Sequence, residues 1–175
     1  SCVTHDSQIT NPNTFTLEAW FYTTNARNGR IIGFGSQRSA PYGGGNSDRH
    51  IYIDSNGRVV FGVYTGTVRI IGSPAGKSYA DSRWHHVVAT LSSAGMRLYL
   101  DGELVDSNSS VTYAQNYTGY WKAGCGQLGG WRNAGSTTND YDGPSYFTGR
   151  LQFVAYYTSA LTADQVRDHY LAGAP

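Results

Sequence analysis

The chain has 175 residues, with 13 Lys and Arg against 12 Asp and Glu, for a formal net charge of +1. That length fits one domain with a sizeable core. The even charge balance supplies no basic field for nucleic acid, and with no run of 18 apolar residues no membrane insertion is expected. Charged residues make up 14% of the chain, where about 25% is typical. The place of the missing charge is taken by 22 Gly and 14 Tyr, a balance common in extracellular all-β domains.

In chain order, Phe15, Leu17, Ala19 and Phe21 alternate with Thr16, Glu18, Trp20 and Tyr22. This period of two predicts a strand with both faces substantially apolar. A second strand is predicted over Arg30–Ser36. His50–Asp54 and Arg58–Tyr64 flank Ser55-Asn56-Gly57, a hairpin signal. Val68–Gly72, Trp84–Leu91 and Met96–Leu100 follow. Asp101-Gly102 then turns the chain into Leu104-Val105. Gly119–Gly124 and Phe147–Tyr157 complete the strands. Many short strands punctuated by Gly and Asn predict a sandwich, not an α/β fold. One helix is predicted near the end. Thr162 and Gln165 form a capping box, Leu161 and Val166 a hydrophobic staple, and Gly173 the stop.

Three of these segments, FTLEAWFY (15–22), DSRWHHVVATLSSAGMRLYLDGELV (81–105) and GRLQFVAYYTSALTADQVRDHY (149–170), occur in an order that resembles the laminin-G-like branch of the concanavalin A-like lectin/glucanase jelly rolls. The resemblance implies an all-β, two-sheet antiparallel jelly-roll sandwich over residues 1–175, with one short C-terminal helix. Members usually open with an extra strand of the type A-L-x-F-D-G ahead of the segment matching Cys2–Ile9. The domain is therefore expected to be excised from a larger protein, or to take a strand from another chain at its N-terminal edge. Lectins, carbohydrate-binding modules, adhesion domains and glycoside hydrolases share this fold, so function has to be read from a site.

Catalysis finds little support. Glucanases of this superfamily carry an E-x-D-x-x-E strand with paired carboxylates about 5 Å apart. This chain has two glutamates: Glu103 sits in a hairpin turn next to Gly102, and Glu18 has no carboxylate partner at i+2 or i+4. His85 and His86 are adjacent on a strand and so face opposite sides, which prevents joint chelation or catalysis. The family motif carries both, which implies a structural role. The resemblance also implies a calcium-binding Asp on the last strand, but Gln152 occupies that position. No cofactor is expected, with calcium on the Asn139–Gly143 segment as the alternative to solvated turn residues.

The segment from Gly126 to Tyr146 predicts a loop of 21 residues, long enough to suggest function. Trp131 and Tyr141 are candidates for stacking on a pyranose. Arg132, Asn133, Asn139, Asp140 and Asp142 are candidates for reading its hydroxyls. The alternative is a structured cover with Trp131 buried. Strand parity places Asn25–Gly29 and Pro74–Ser82 at the same end, which adds Tyr79 and Asp81 to the candidate site. A second loop, Gln37–Arg49, offers Tyr42, Asn46, Asp48 and Arg49 at the opposite end.

Cys2 and Cys125 lie in no C-x-x-C motif, which leaves two buried thiols or one disulfide. An even count in a chain of secreted character favours the disulfide. Two N-x-S/T sequons begin at Asn108 and Asn116. Together these features predict a non-catalytic carbohydrate-binding module of a secreted or cell-surface protein, with an oligosaccharide or polysaccharide as partner. A protein–protein adhesion module is the alternative, and a hydrolase with an atypical site is a third reading.

Overall fold

The computed structural model describes residues 1–27, 29–39 and 45–173. Their strands are β1 (Val3–Thr4), β2 (Ile9–Thr10), β3 (Phe15–Tyr22), β4 (Gly29–Gly35), β5 (Ser47–Ile53), β6 (Val59–Tyr64) and β7 (Val68–Gly72). They continue as β8 (Trp84–Ser92), β9 (Gly95–Leu100), β10 (Glu103–Asn108), β11 (Thr118–Ala123), β12 (Cys125–Gln127), β13 (Pro144–Tyr146) and β14 (Arg150–Tyr157), and α1 spans Ala163–Ala172. One antiparallel sheet runs β1-β11-β4-β5-β6-β7, with β2 also paired to β11. The facing sheet runs β10-β9-β8-β3-β14. β12 and β13 form a separate pair. The chain is thus the antiparallel sandwich that its punctuation predicts. The short β1, β2, β12 and β13 are additions that carry no periodic signal of their own.

The alternation in sequence becomes a stack of layers. Phe15, Leu17, Ala19 and Phe21 of β3 meet Val87, Ala89 and Leu91 of β8 and Ile51, Phe61 and Val63 of the other sheet in one core. The opposite face of the β3/β8 sheet is apolar because α1 lies on it: Val166 is fully buried against Val88 and Tyr99, with Leu161 beside them. The outer face of the β5/β6 sheet is apolar too, and the long loop covers it. Tyr52 and Val60 pack there with Leu128, Trp131 and Tyr141.

Local signals hold where backbone geometry demands them. Asp101 and Gly102 have φ of 52° and 83°, the two positive values of a type I′ turn between β9 and β10. Thr162 Oγ1 accepts from Gln165 N at 3.2 Å, and Gln165 Oε1 accepts from Thr162 N at 3.0 Å, which closes the capping box. Cys2 and Cys125 form a disulfide with a Cα–Cα distance of 5.3 Å, tying the chain start to β12.

The two sides of the sandwich differ. On one, Gly72 N donates to Asp106 Oδ2 at 3.0 Å and ties β7 to β10. On the other, the edge strands β1 and β14 flank an apolar cleft of ≈480 Å³, whose walls include Ile32, Trp121, Phe147, Leu151 and Tyr156. Along β14, Phe153 and Val154 together face the single residue Ala19 of β3, a two-against-one bulge with its first residue in left-handed backbone. Phe153 is 68% exposed there.

Candidate functional site

The long loop is a fitted cover, and this corrects the stacking role predicted for its aromatics. Trp131 and Tyr141 are each only 4% exposed. Trp131 lies on Gly62 of β6 and meets His50 edge-on, with ring centroids 4.4 Å apart. Tyr141 meets Tyr52 at 5.9 Å in the same manner. Neither ring offers a face to a sugar, because both fill a second hydrophobic cluster whose burial outweighs what exposure would gain.

Most of the polar candidates in the loop serve the loop itself. Asn133 Oδ1 accepts from Ser55 N, Ser55 Oγ and Tyr141 Oη. Asp140 Oδ2 accepts from Asn133 N at 2.8 Å, and its Oδ1 accepts from Thr138 Oγ1. The first of these bonds holds the Asp140 carboxyl below its ordinary range. Arg132 donates from Nη2 to Val68 O and accepts from Tyr52 Oη on its carbonyl. Asn139 and Asp142 remain exposed. Among the described residues, no group of three or more His, Cys, Asp and Glu converges as a metal site.

Parity is half right. Tyr79 and Asp81 do not join Trp131, which corrects that expectation. Tyr79 is 3% exposed in the main core and meets His85 edge-on. Asp81 Oδ1 accepts from His85 Nε2 at 2.9 Å. The other predicted neighbour does meet the loop. Asn25 and Arg27 line one cleft with Asp142, Ser145, Tyr146 and Thr148, over a base formed by Leu128 and Tyr141. Thr23 Oγ1 donates to Thr148 O at 2.6 Å and joins the two walls. The cleft holds ≈410 Å³, a ligand-sized space. Its surface is mainly polar, and Tyr146 presents a 42% exposed ring. Arg27, Tyr146 and Thr148 lie outside the sequence candidates; strand parity places the Arg27 segment at this end, Tyr146 closes the predicted long loop, and no sequence signal points to Thr148.

The second predicted loop does not form a surface site at Asp48 and Arg49. Both side chains are fully buried. Arg49 Nη1 donates to Asp48 Oδ1 at 2.6 Å, and its Nε donates to Pro12 O. Tyr117 Oη donates to the same Asp48 oxygen. Burial raises the Asp48 carboxyl despite these bonds. This network welds the chain before β3 to β5. Tyr42 lies outside the described residues.

The two histidines face opposite layers. His85 is held between Asp101 Oδ2 at 2.8 Å and Asp81 Oδ1 at 2.9 Å. Burial opposes its charge, but the hydrogen bonds to Asp101 and Asp81 outweigh burial and raise its pKa. His86 lies under α1, where Nε2 donates to Glu18 Oε1 at 2.7 Å. Tyr157 Oη and His169 Nδ1 donate to the same carboxylate. Burial alone would raise the Glu18 pKa, and these three bonds together lower it. Glu103 pairs at the surface with Arg167 Nη1 at 2.8 Å. Both glutamates are thus engaged in holding α1, and neither lines the β1/β14 cleft or the Arg27–Tyr146 cleft.

Comparison with known proteins agrees with this geometry. The family described as the concanavalin A-like lectin/glucanases superfamily matches residues 1–167. A rat protein, "Sushi, von Willebrand factor type A, EGF and pentraxin domain-containing protein 1", is 31% identical over 91 residues; these cover 51% of this chain and 2% of that protein. The heptameric SAP-like pentraxin of Limulus polyphemus superposes with a TM-score of 0.62 at 18% identity, over 95% of this chain and 73% of the pentraxin. Mouse laminin α1 domains LG4-5 superpose with a TM-score of 0.57 at 17% identity, over 89% of this chain and 40% of that one. The chain belongs to the concanavalin A-like lectin/glucanases superfamily.

Proposed function

We propose that the domain is a non-catalytic carbohydrate-binding module of a secreted or cell-surface protein, and that it receives its glycan in the cleft between Arg27 and Tyr146. The observation that carries this reading is the composition of that cleft. Asn25, Arg27, Asp142 and Thr148 offer donors and acceptors around a rim that also presents the Tyr146 ring. A sugar has hydroxyls at its edge and C–H patches on its face, so it needs both kinds of partner. The engagement of Glu18 and Glu103 elsewhere supports a binding role over hydrolysis. The disulfide supports an oxidising compartment. A glycan array probed with the purified domain tests the reading. Binding to a defined glycan class that is lost in an Arg27→Ala/Tyr146→Ala variant of unchanged melting temperature supports it. Failure to bind any glycan, or unchanged binding by the variant, overturns it.

The second reading is protein–protein adhesion, favoured by the apolar cleft between β1 and β14 with Val3 and Phe153 exposed beside it. On that reading an extended strand of another chain lies along β14, whose ladder is made on the β3 side. Loss of partner capture on Leu151→Asp, with glycan binding intact, separates the two readings.

A further inference from the structure

We propose that Arg30 and His50 together hold a small monovalent inorganic anion, of the size of chloride, beneath the long loop. Arg30 is 1% exposed and His50 is fully buried. Arg30 Nη1 donates to Ser47 Oγ at 3.0 Å. Its Nε and Nη2 have no hydrogen-bond partner among the described residues, and the His50 ring nitrogens have only a loose approach to the Ser47 backbone. Nε and Nη2 form one edge of the guanidinium, the fork that engages an anion with two parallel N–H bonds.

The register brings these groups together. Arg30 stands opposite Tyr52 across the β4–β5 ladder. Its side chain runs over Gly33 and reaches Ser47, so it passes down β5 from Tyr52 toward the strand's start. His50 lies two residues along that path on the same outer face as Tyr52, because side chains alternate with a period of two. The Trp131 ring meets His50 edge-on from the loop side, with centroids 4.4 Å apart. Gly33 and Gly126 press on the guanidinium: a Cβ at Gly33 would stand 2.1 Å from Nε, and one at Gly126 1.9 Å from Nη1.

Charge makes the case for an anion over a neutral occupant. An arginine cannot escape burial by releasing its proton, since it stays cationic in proteins. Burial lowers its pKa only to about 10. An isolated buried charge costs far more than a typical domain's net stability. Tyr117 and Asp48 are the acidic groups whose field reaches Arg30; the Tyr117 phenol is neutral with its pKa pushed up, and both Asp48 oxygens are taken, Oδ1 by Arg49 and Tyr117 and Oδ2 by Tyr64 N. Lys122, 5% exposed, adds a further positive charge that acts against Arg30. Arg30 and Arg49 therefore share one carboxylate, with Lys122 as a further cation against Arg30. Gly33 and Gly126 crowd the guanidinium and Trp131 crowds His50, which favours a single-atom anion over a carboxylate or sulfate group.

The test is thermal unfolding of the whole domain at constant ionic strength, with chloride exchanged for gluconate. The melting temperature should rise by about 3–6 °C for each tenfold increase in chloride above its dissociation constant. Arg30→Met should abolish that rise. This variant should fold, because replacing a buried ion with an apolar residue of similar volume is commonly tolerated. If it does not, bromide soaked into crystals of the wild-type domain decides. An anomalous peak within about 3.5 Å of Arg30 Nε and Nη2 supports the site. A chloride-indifferent melting temperature, or only a water at that position, overturns it.

Discussion

Trp131 rests directly on Gly62: a Cβ built at Gly62 would lie 2.4 Å from Trp131 Cζ3. β6 gives up a side chain so that the loop can seat its indole against the outer face of the sheet. A second contact repeats this device one strand away, where a Cβ at Gly72 would lie 2.8 Å from Ala134 Cβ. The cover and the sheet are therefore complementary surfaces.

That contact predicts that Trp131 is a stability residue. Trp131→Ala should destabilise the domain by about 3–5 kcal/mol, the range for large aromatics in a core, and should lower the melting temperature by roughly 10 °C. Gly62→Ala should cost about 1–3 kcal/mol by overpacking. Calorimetry on both variants checks the pair. A Trp131→Ala domain that melts like the wild type would contradict the packing.

The disulfide should stabilise the fold by lowering the entropy of the unfolded chain. Cys2 and Cys125 are 123 residues apart in sequence, so the bond closes a very long loop. On the chain-entropy model it stabilises by about 4–5 kcal/mol. Cys2→Ser, or full reduction, should therefore produce a melting-temperature loss of about 10 °C or more. Thiol titration of the unfolded, unreduced protein should find no free thiol.

Much of the fold was legible in the residues, and the site was not, for a physical reason. The period-two runs of β3, β8 and β6 mark their core faces directly. The Asp101-Gly102 turn and the Thr162 cap follow from local backbone chemistry. Trp131 and Tyr141 carry the chemistry of a sugar platform equally well whether they face water or a sheet. Only the bare Gly62 opposite, a long-range partner, decides which. Asp48 and Arg49 show the same ambiguity: a charged pair in a loop-like stretch reads as surface until Tyr117 and Pro12 enclose it. Asn25 and Arg27 could be placed because strand parity is a topological property, whereas Tyr79 could not, since parity gives an end of the sandwich and not a side-chain direction.

The His85 clasp predicts a pH optimum for stability. His85 has a folded pKa above its ordinary value near 6.5, so its contribution is complete below that value and is lost as pH rises through the folded pKa. Asp101 titrates the other way. Burial would raise it, but the His85 and His86 bonds lower it overall, so its contribution is present above about 3.8 and is lost as pH falls through its depressed folded value. Glu18, also depressed, adds to the acid limb. The melting temperature should therefore rise as pH is lowered from 8 to about 6 and fall again below about 4. Asp101→Asn should flatten the alkaline limb, and an unchanged profile in that variant would place the pH dependence elsewhere.

For the proposed glycan cleft, affinity should be modest, with a Kd of roughly μM to mM, because a few stacking and hydrogen-bonding contacts give only about 4–8 kcal/mol. Removing the exposed ring in Tyr146→Ala should weaken binding about tenfold, corresponding to about 1.4 kcal/mol. Isothermal titration with the best array ligand measures this. A Trp131→Ala variant that still folds should lose stability without a comparable loss of contact affinity, the reverse of Tyr146→Ala.

Phe153 supplies the last prediction. Its φ is +49°, left-handed backbone that an aromatic residue rarely adopts, at the bulge position usually given to glycine. The ring gains little in return from packing, since the residue is 68% exposed. The strain is therefore not offset by burial of the ring, and strain of this kind concentrates where a surface binds something. Phe153→Gly keeps the bulge and removes the left-handed penalty, although glycine adds entropy to the unfolded chain. Asparagine tolerates the same backbone with less of that entropic loss. Phe153→Asn should therefore raise the melting temperature by about 2–4 °C, an effect on the order of 1 kcal/mol. The same substitution should leave glycan binding at the Tyr146 cleft unchanged while weakening any protein contact made along β14. A fall in melting temperature would show that the ring packs on the cleft walls and stabilises the open side of the sandwich.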